Sequence, residues 1–110
     1  MAHDTELEKV LDATTRTWDG LTKKKMFGGV VYMVHGNICV GIWKDHLIIR
    51  AGEAVDRMMA DDGRFRPFDV TGRAMQGWTM LEPEGWRDPA LRSRVVETAR
   101  DFCLTLPKKA

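Results

Sequence analysis

Apolar side chains run almost without a break from Met26 to Ala51. The run is interrupted only at Gly36-Asn37 and at Asp45-His46. Short apolar segments bounded by turn residues read as strands, and a Gly-Asn pair between two of them reads as a hairpin loop. The pattern therefore predicts a three-stranded meander: Met26 to His35, Ile38 to Lys44, and Leu47 to Ala51. Around it the period changes. Leu7, Val10, Leu11 and Trp18 share one helical face of a segment from Asp4 to Asp19, with Thr5 and Glu8 in capping-box register and Gly20 at the end. Glu53 to Ala60 reads as a short helix with Val55, Met58 and Met59 inward. Pro67 to Val70 and Trp78 to Glu82 read as two more strands, with Thr71, Gly72 and Arg73 turning between them and Pro83 to Arg87 as a connection. Asp88-Pro89 then starts a helix with a cap and a first-turn proline. Leu91, Val95, Val96, Ala99, Phe102, Cys103 and Leu106 trace its inner face, and Pro107 follows its end.

The order is helix, three strands, helix, two strands, helix. Short loops between neighbouring strands imply antiparallel pairing, so the expected fold class is α+β, two layers, with the helices on one face of the sheet. Side chains alternate along a strand, so the turns assign faces. With Gly36 and Asn37 as the loop, His35 faces Ile38, Met33 faces Val40 and Val31 faces Ile42. With Asp45 and His46 as the next loop, Leu47 and Ile49 join that side, which should carry the helices. The other side would hold Val30, Tyr32, Val34, Cys39, Gly41, Trp43, Ile48 and Arg50, and is also mostly apolar.

The chain has 110 residues, enough for one domain with a core from about residue 4 to 106. Charged residues make up 30%, and the net charge is only +1, so no strong long-range field draws in nucleic acid or an anionic membrane. Neither a signal segment nor an apolar run long enough to span a bilayer is visible, and a cytoplasmic location is expected. The two cysteines, Cys39 and Cys103, lack metal-site spacing and read as small buried hydrophobes in a reducing compartment.

Catalytic chemistry is hard to assemble. Ser93 lies in a helix without a nucleophile elbow. Cys39 and His35 fall on opposite faces, and His46 sits at the far end of Cys39's strand. His3, His35 and His46 lack helical zinc spacing, and His3 is expected to be disordered. Gly28-Gly29 precedes a strand, whereas a phosphate-cradling loop precedes a helix. No catalytic residue, metal ligand or cofactor is therefore expected.

Met26-Phe27-Gly28-Gly29, followed by Gly36-Asn37-Ile38-Cys39-Val40-Gly41-Ile42-Trp43-Lys44 and Asp45 to Arg50, resembles the TfoX N-terminal domain family, also called TfoX/Sxy. Gly72-Arg73-Ala74-Met75-Gln76-Gly77-Trp78 is similar to that family's Gly-Arg-x-Met-x-Gly-aromatic stretch. The resemblance covers about Thr17 to Leu106. It implies an α+β fold like that of secretion chaperones. It also implies a link to natural competence, in which full-length members help a cyclic-AMP receptor protein activate promoters. Those members carry a second, C-terminal domain, and the expectation here is a single-domain member. The family supplies no catalytic residues.

Three functional readings follow. The first is a non-enzymatic regulatory module that binds a protein partner, or a second copy of itself, through Tyr32, Trp43, Ile48 and Arg50, because aromatics and arginine are enriched at interface centres. Its alternative is that the chain's own loop, including Arg73 to Gly77, covers this face. The second is nucleic-acid association, with Lys23, Lys24, Lys25, Arg64, Arg66 and Arg73 forming one patch if the first strand's start lies near the fourth strand. The third is a small-molecule pocket near Met75, Trp78 and Trp86.

Overall fold

The computed structural model describes residues 3–26, 28–70 and 72–109. Met1, Ala2, Phe27, Thr71 and Ala110 lie outside the described residues, among them Phe27 of the glycine motif and Thr71 of the predicted turn. The expected class holds: helices and an antiparallel sheet in two layers. The elements in chain order are α1 (Thr5–Thr15), β1 (Leu21–Met26), β2 (Gly29–Val34), β3 (Asn37–Trp43), β4 (His46–Arg50), α2 (Ala54–Asp61), β5 (Phe65–Pro67), β6 (Trp78–Leu81), α3 (Pro83–Trp86) and α4 (Pro89–Leu104). The sheet has six strands in the order β1-β2-β3-β4-β6-β5, every neighbour antiparallel.

The sheet is wider than the apolar pattern predicts. Residues 21–26 form a strand of their own, Leu-Thr-Lys-Lys-Lys-Met, turned back on β2 at Gly28. Nothing in Thr22 to Lys25 alternates in hydrophobicity, because this is an edge strand mostly open to solvent. Lysines on an edge repel a further strand while the backbone still pairs inward. Strand β5 also sits earlier than expected, so that Pro67 ends it rather than starts it. It is again an edge, where a missing N–H costs no ladder bond.

Helix α1 starts one residue before the capping-box reading places it. Asp4, not Thr5, is the cap, and its carboxylate accepts from the Leu7 N–H at 3.0 Å. The helix ends at Thr15, short of Asp19, and Thr15 returns its hydroxyl to the Leu11 carbonyl. Asp88 caps α4 as expected, accepting from Ala90 and Leu91 with Pro89 in the first turn. The tail after α4 is tied at Lys109, whose N–H donates to the His35 carbonyl at 2.8 Å.

Both predicted hairpin loops slide back by one residue. Val34 pairs with Asn37, so the first loop is His35-Gly36, with φ of 51° and 85°. Positive φ at both positions is what a type I′ turn needs to match the strand twist. Trp43 pairs with His46, so the second loop is Lys44-Asp45. These shifts alone leave the face assignment unchanged. A β-bulge does not. Met33 pairs with Ile38 but Tyr32 pairs with Val40, which leaves Cys39 as an extra residue in β3. Beyond it β2 is turned over, and Val30, Tyr32 and Val34 lie on the helical side with Val40, Ile42, Leu47 and Ile49. Cys39 lies there too. The expectation that Val30, Tyr32, Val34 and Cys39 belong to the second face is thereby corrected, as is the expectation that Val31 and Met33 face the helices.

The main core forms between that side and the helices: Leu7 and Leu11 of α1, Val55 of α2, Trp86 of α3, and Leu91, Val95, Val96, Ala99 and Cys103 of α4. Phe102, expected inward, is only half-buried and lies against Arg50. On the other face a smaller cluster of Ile48, Phe68 and Met80 gathers Trp43, Val70, Met75 and Trp78 around it. Phe68 and Trp78 stack at 5.2 Å between ring centres.

Candidate functional site

Two of the four predicted interface residues are sealed by the chain itself. Tyr32 is 1% exposed under α1, and its hydroxyl donates to the Asp12 carboxylate at 2.7 Å. Burial, then the bond to Asp12, holds this phenol well above its ordinary pKa. Ile48 is 1% exposed beneath Phe68 and Met80. The segment from Phe68 to Trp78 thus acts as a cover over the β4–β6 half of the second face. Met75 bonds back to the Phe68 carbonyl to close it. Arg50 is half-buried and lies over the rings of Trp78 and Phe102, at 5.4 and 5.7 Å. Trp43 is half-buried at the margin of the cover, with the Lys44 ammonium 4.6 Å from its ring centre.

The β2–β3 half of that face differs. Pairing aligns Val31, Met33, Ile38, Gly41 and Trp43 on it. The four helices are all on the opposite side. Met33, Ile38 and Trp43 are half-buried rather than sealed, and Lys24 of β1 stands beside Val31 in the same row. The sequence missed Met33 and Ile38 because the bulge that turns them outward leaves no compositional trace.

The six basic residues do not form one patch. Lys23, Lys24 and Lys25 lie on β1, at one border of the sheet, and Arg66 on β5, at the other. Five strand spacings separate these borders, roughly 24 Å. Lys23 is held by Glu8 at 2.6 Å and Asp12 at 3.0 Å. Burial pulls its pKa down, but the bonds to those carboxylates outweigh it and the net shift is upward, while Lys23 and then His3 lower Glu8. His3, expected to be disordered, bonds Glu8 at 2.7 Å. Arg64 grips Asp62 at 2.6 Å and, with its backbone N–H, holds that carboxyl at about 2. Arg66 pairs with Glu82. Arg73 is exposed in the cover segment. Lys23, Arg64 and Arg66, half of the six, are therefore answered by carboxylates within the fold.

The proposed pocket of Met75, Trp78 and Trp86 is divided by the sheet. Met75 and Trp78 belong to the cover cluster, whereas Trp86 is 1% exposed in the helical core and donates its indole N–H to the Asp45 carbonyl at 2.8 Å. A cleft of about 480 Å³ lies elsewhere, between α2 and α4. Ala54, Met58, Phe65, Leu91 and Val95 line it, together with Arg57, Arg94 and the carboxylates Asp61 and Asp62. Among the described residues neither arginine has a carboxylate within ion-pair distance. No group of three or more metal-ligating side chains, and no helix long and apolar enough to cross a membrane, occurs among the described residues.

The motif glycines have structural work. Gly28 turns the β1–β2 hairpin with φ of 76° and open space around it. Gly29 is extended, but its Cα faces the Ile42 carbonyl so closely that no Cβ fits. Gly77, with φ of 84°, accepts the N–H groups of Ala51 and Gly52, and so ties the end of the cover to the end of β4. Gly72 also has positive φ, at 102°. No curated protein and no solved structure matches this chain. The model of one family, described as TfoX N-terminal domain, matches residues 13–103, which span the sheet, the cover and most of α4. The chain belongs to the TfoX N-terminal domain family.

Proposed function

We propose that this domain is a non-enzymatic regulatory module, serving transcription or competence control, that binds a protein partner through the β2–β3 half of its second sheet face. The observation that carries this reading is the cover that stops short. Phe68 to Trp78 pack over β4 and β6, while Met33, Ile38 and Trp43 stay half-open next to Lys24 and Lys44. An aromatic and a methionine framed by lysines suit an apolar segment bearing acidic residues, because apolar burial supplies affinity and the charges set orientation. The test places a photo-crosslinker at position 33, and separately at exposed position 97 on α4, in cells that express the protein. A specific adduct from position 33 that Trp43→Ala abolishes supports the reading. Equal labelling from both positions, or an adduct indifferent to Trp43, refutes it. Adducts of the chain with itself identify the partner as a second copy.

A further inference from the structure

The chain's two cysteines are far apart in sequence, and the fold brings them together in the core. The bulge in β3 is what makes this happen, because it sets Cys39 on the helical side. From α4, Cys103 Sγ reaches the Ile38 carbonyl at 3.2 Å and the Asn37 carbonyl at 3.7 Å, in the peptide units next to Cys39. Cys103 Sγ thus lies against the backbone that carries Cys39, and both side chains belong to one core cluster. Both are free thiols.

We propose that Cys39 and Cys103 are an oxidisable dithiol, which a hydroperoxide converts to an intramolecular disulfide fastening α4 to β3. Cys103 is the attacking sulfur. The bond from Cys39 favours its thiolate and the Arg50 charge assists, against burial, so its pKa is lowered; Cys39, as donor in that bond and buried, is raised. The Cys103 thiolate attacks the terminal oxygen of the peroxide. The O–O bond breaks, and the departing alkoxide takes a proton to become an alcohol. Cys39 then attacks the resulting sulfenic sulfur. An S–S bond forms, the S–O bond breaks, and water leaves with the Cys39 proton. Two electrons pass from the sulfur pair to the peroxide, and two thiols plus one hydroperoxide yield one disulfide, one alcohol and one water.

Cys39 is 0% and Cys103 2% exposed, so the peroxide must be admitted. Cys103 is one residue from the end of α4, and the tail beyond is tied across to the β2–β3 hairpin by Asn37 Nδ2 to the Pro107 carbonyl and the Lys109 N–H to the His35 carbonyl. Release of these two bonds frees the last turn to fray and uncovers Cys103 while the sheet stays intact.

The experiment treats the full chain with hydrogen peroxide, then alkylates residual thiols and measures intact mass without reductant. The expected product is a monomer lighter by two hydrogens, with no alkylated thiol, a 39–103 linked peptide after digestion, and reversal by dithiothreitol. Closing a loop of about 65 residues should raise the melting temperature by on the order of 10 °C. Cys39→Ala should leave Cys103 as a sulfenic acid that dimedone traps, and Cys103→Ala should leave Cys39 unreacted. Separate oxidation of each sulfur to a sulfinic acid, a disulfide-linked dimer, or thiols that react only after denaturation would each overturn the proposal. The wild-type measurement decides this even if a variant does not fold.

Discussion

Gly28 and Gly29 are adjacent, yet the structure gives them different reasons to be glycine, and their alanine substitutions should separate those reasons. At Gly28 the space is open and only the positive φ resists a side chain. A left-handed conformation costs an alanine about 1 kcal/mol. At Gly29 the backbone conformation is ordinary, but a Cβ would fall inside the contact radius of the Ile42 carbonyl oxygen and lie 3.0 Å from its carbon. That obstacle is backbone, so relief means parting β2 from β3 rather than turning a rotamer. Loss of about two ladder bonds at ~1 kcal/mol each, with ~2 kcal/mol of overpacking, less ~1 kcal/mol of unfolded-chain entropy restricted by alanine, comes to about 3 kcal/mol. Urea unfolding followed by tryptophan fluorescence reads the difference, since the denaturant slope should stay constant while the midpoint moves. In temperature the Gly29→Ala loss is on the order of 10 °C. A Gly29→Ala cost equal to or below that of Gly28→Ala would refute the steric argument and return both residues to a shared turn effect.

Tyr32→Phe removes the bond to Asp12 and should cost about 1 kcal/mol in urea unfolding, because the acceptor is half-exposed and also serves Lys23. The same change alters the alkaline limb. The folded pKa of Tyr32 lies above its unfolded value near 10, so its contribution is complete below pH 10 and fades as pH rises toward the folded value; Tyr32→Phe should flatten that decline. Asp62 behaves in the opposite sense. Its folded pKa of about 2 lies below the unfolded 3.8, so its contribution is present above pH 4 and is lost as pH falls toward 2, and Asp62→Asn should weaken the dependence of urea midpoint on pH across that window. Asp88→Ala deletes the cap of α4 and should cost about 1 kcal/mol, with Asp88→Ser restoring most of it. An unchanged midpoint in Asp88→Ala would show that the first turn of α4 is held by packing alone.

Legibility followed the strength of local signals. Periodicity placed α1, α2, α4 and the β3–β4 pair, because each has one apolar side against the core. It failed at β1, whose Thr22 to Lys25 are all exposed and carry no apolar alternation. The β3 bulge was invisible because inserting one residue into a ladder changes no composition. That single insertion moved Tyr32 from the expected interface into the core and brought Met33 out. Trp43, Ile48 and Arg50 kept their predicted side since Ile42 shares a side with Leu47 and Ile49 in either hairpin register. The basic patch failed for a topological reason. Chain order places residues 23–25 and 64–66 one helix and three strands apart, and only strand order reveals that they stand at opposite borders.

A row of six strands that does not close on itself has two loose borders, and this protein finishes each one differently. One is trimmed to three residues and ended by Pro67; the other is full length but studded with Lys23, Lys24 and Lys25. Solubility at the long border is therefore guarded by ammonium charge alone. Whatever erases that charge, such as acetylation of Lys24 and Lys25, would let copies of this sheet join border to border.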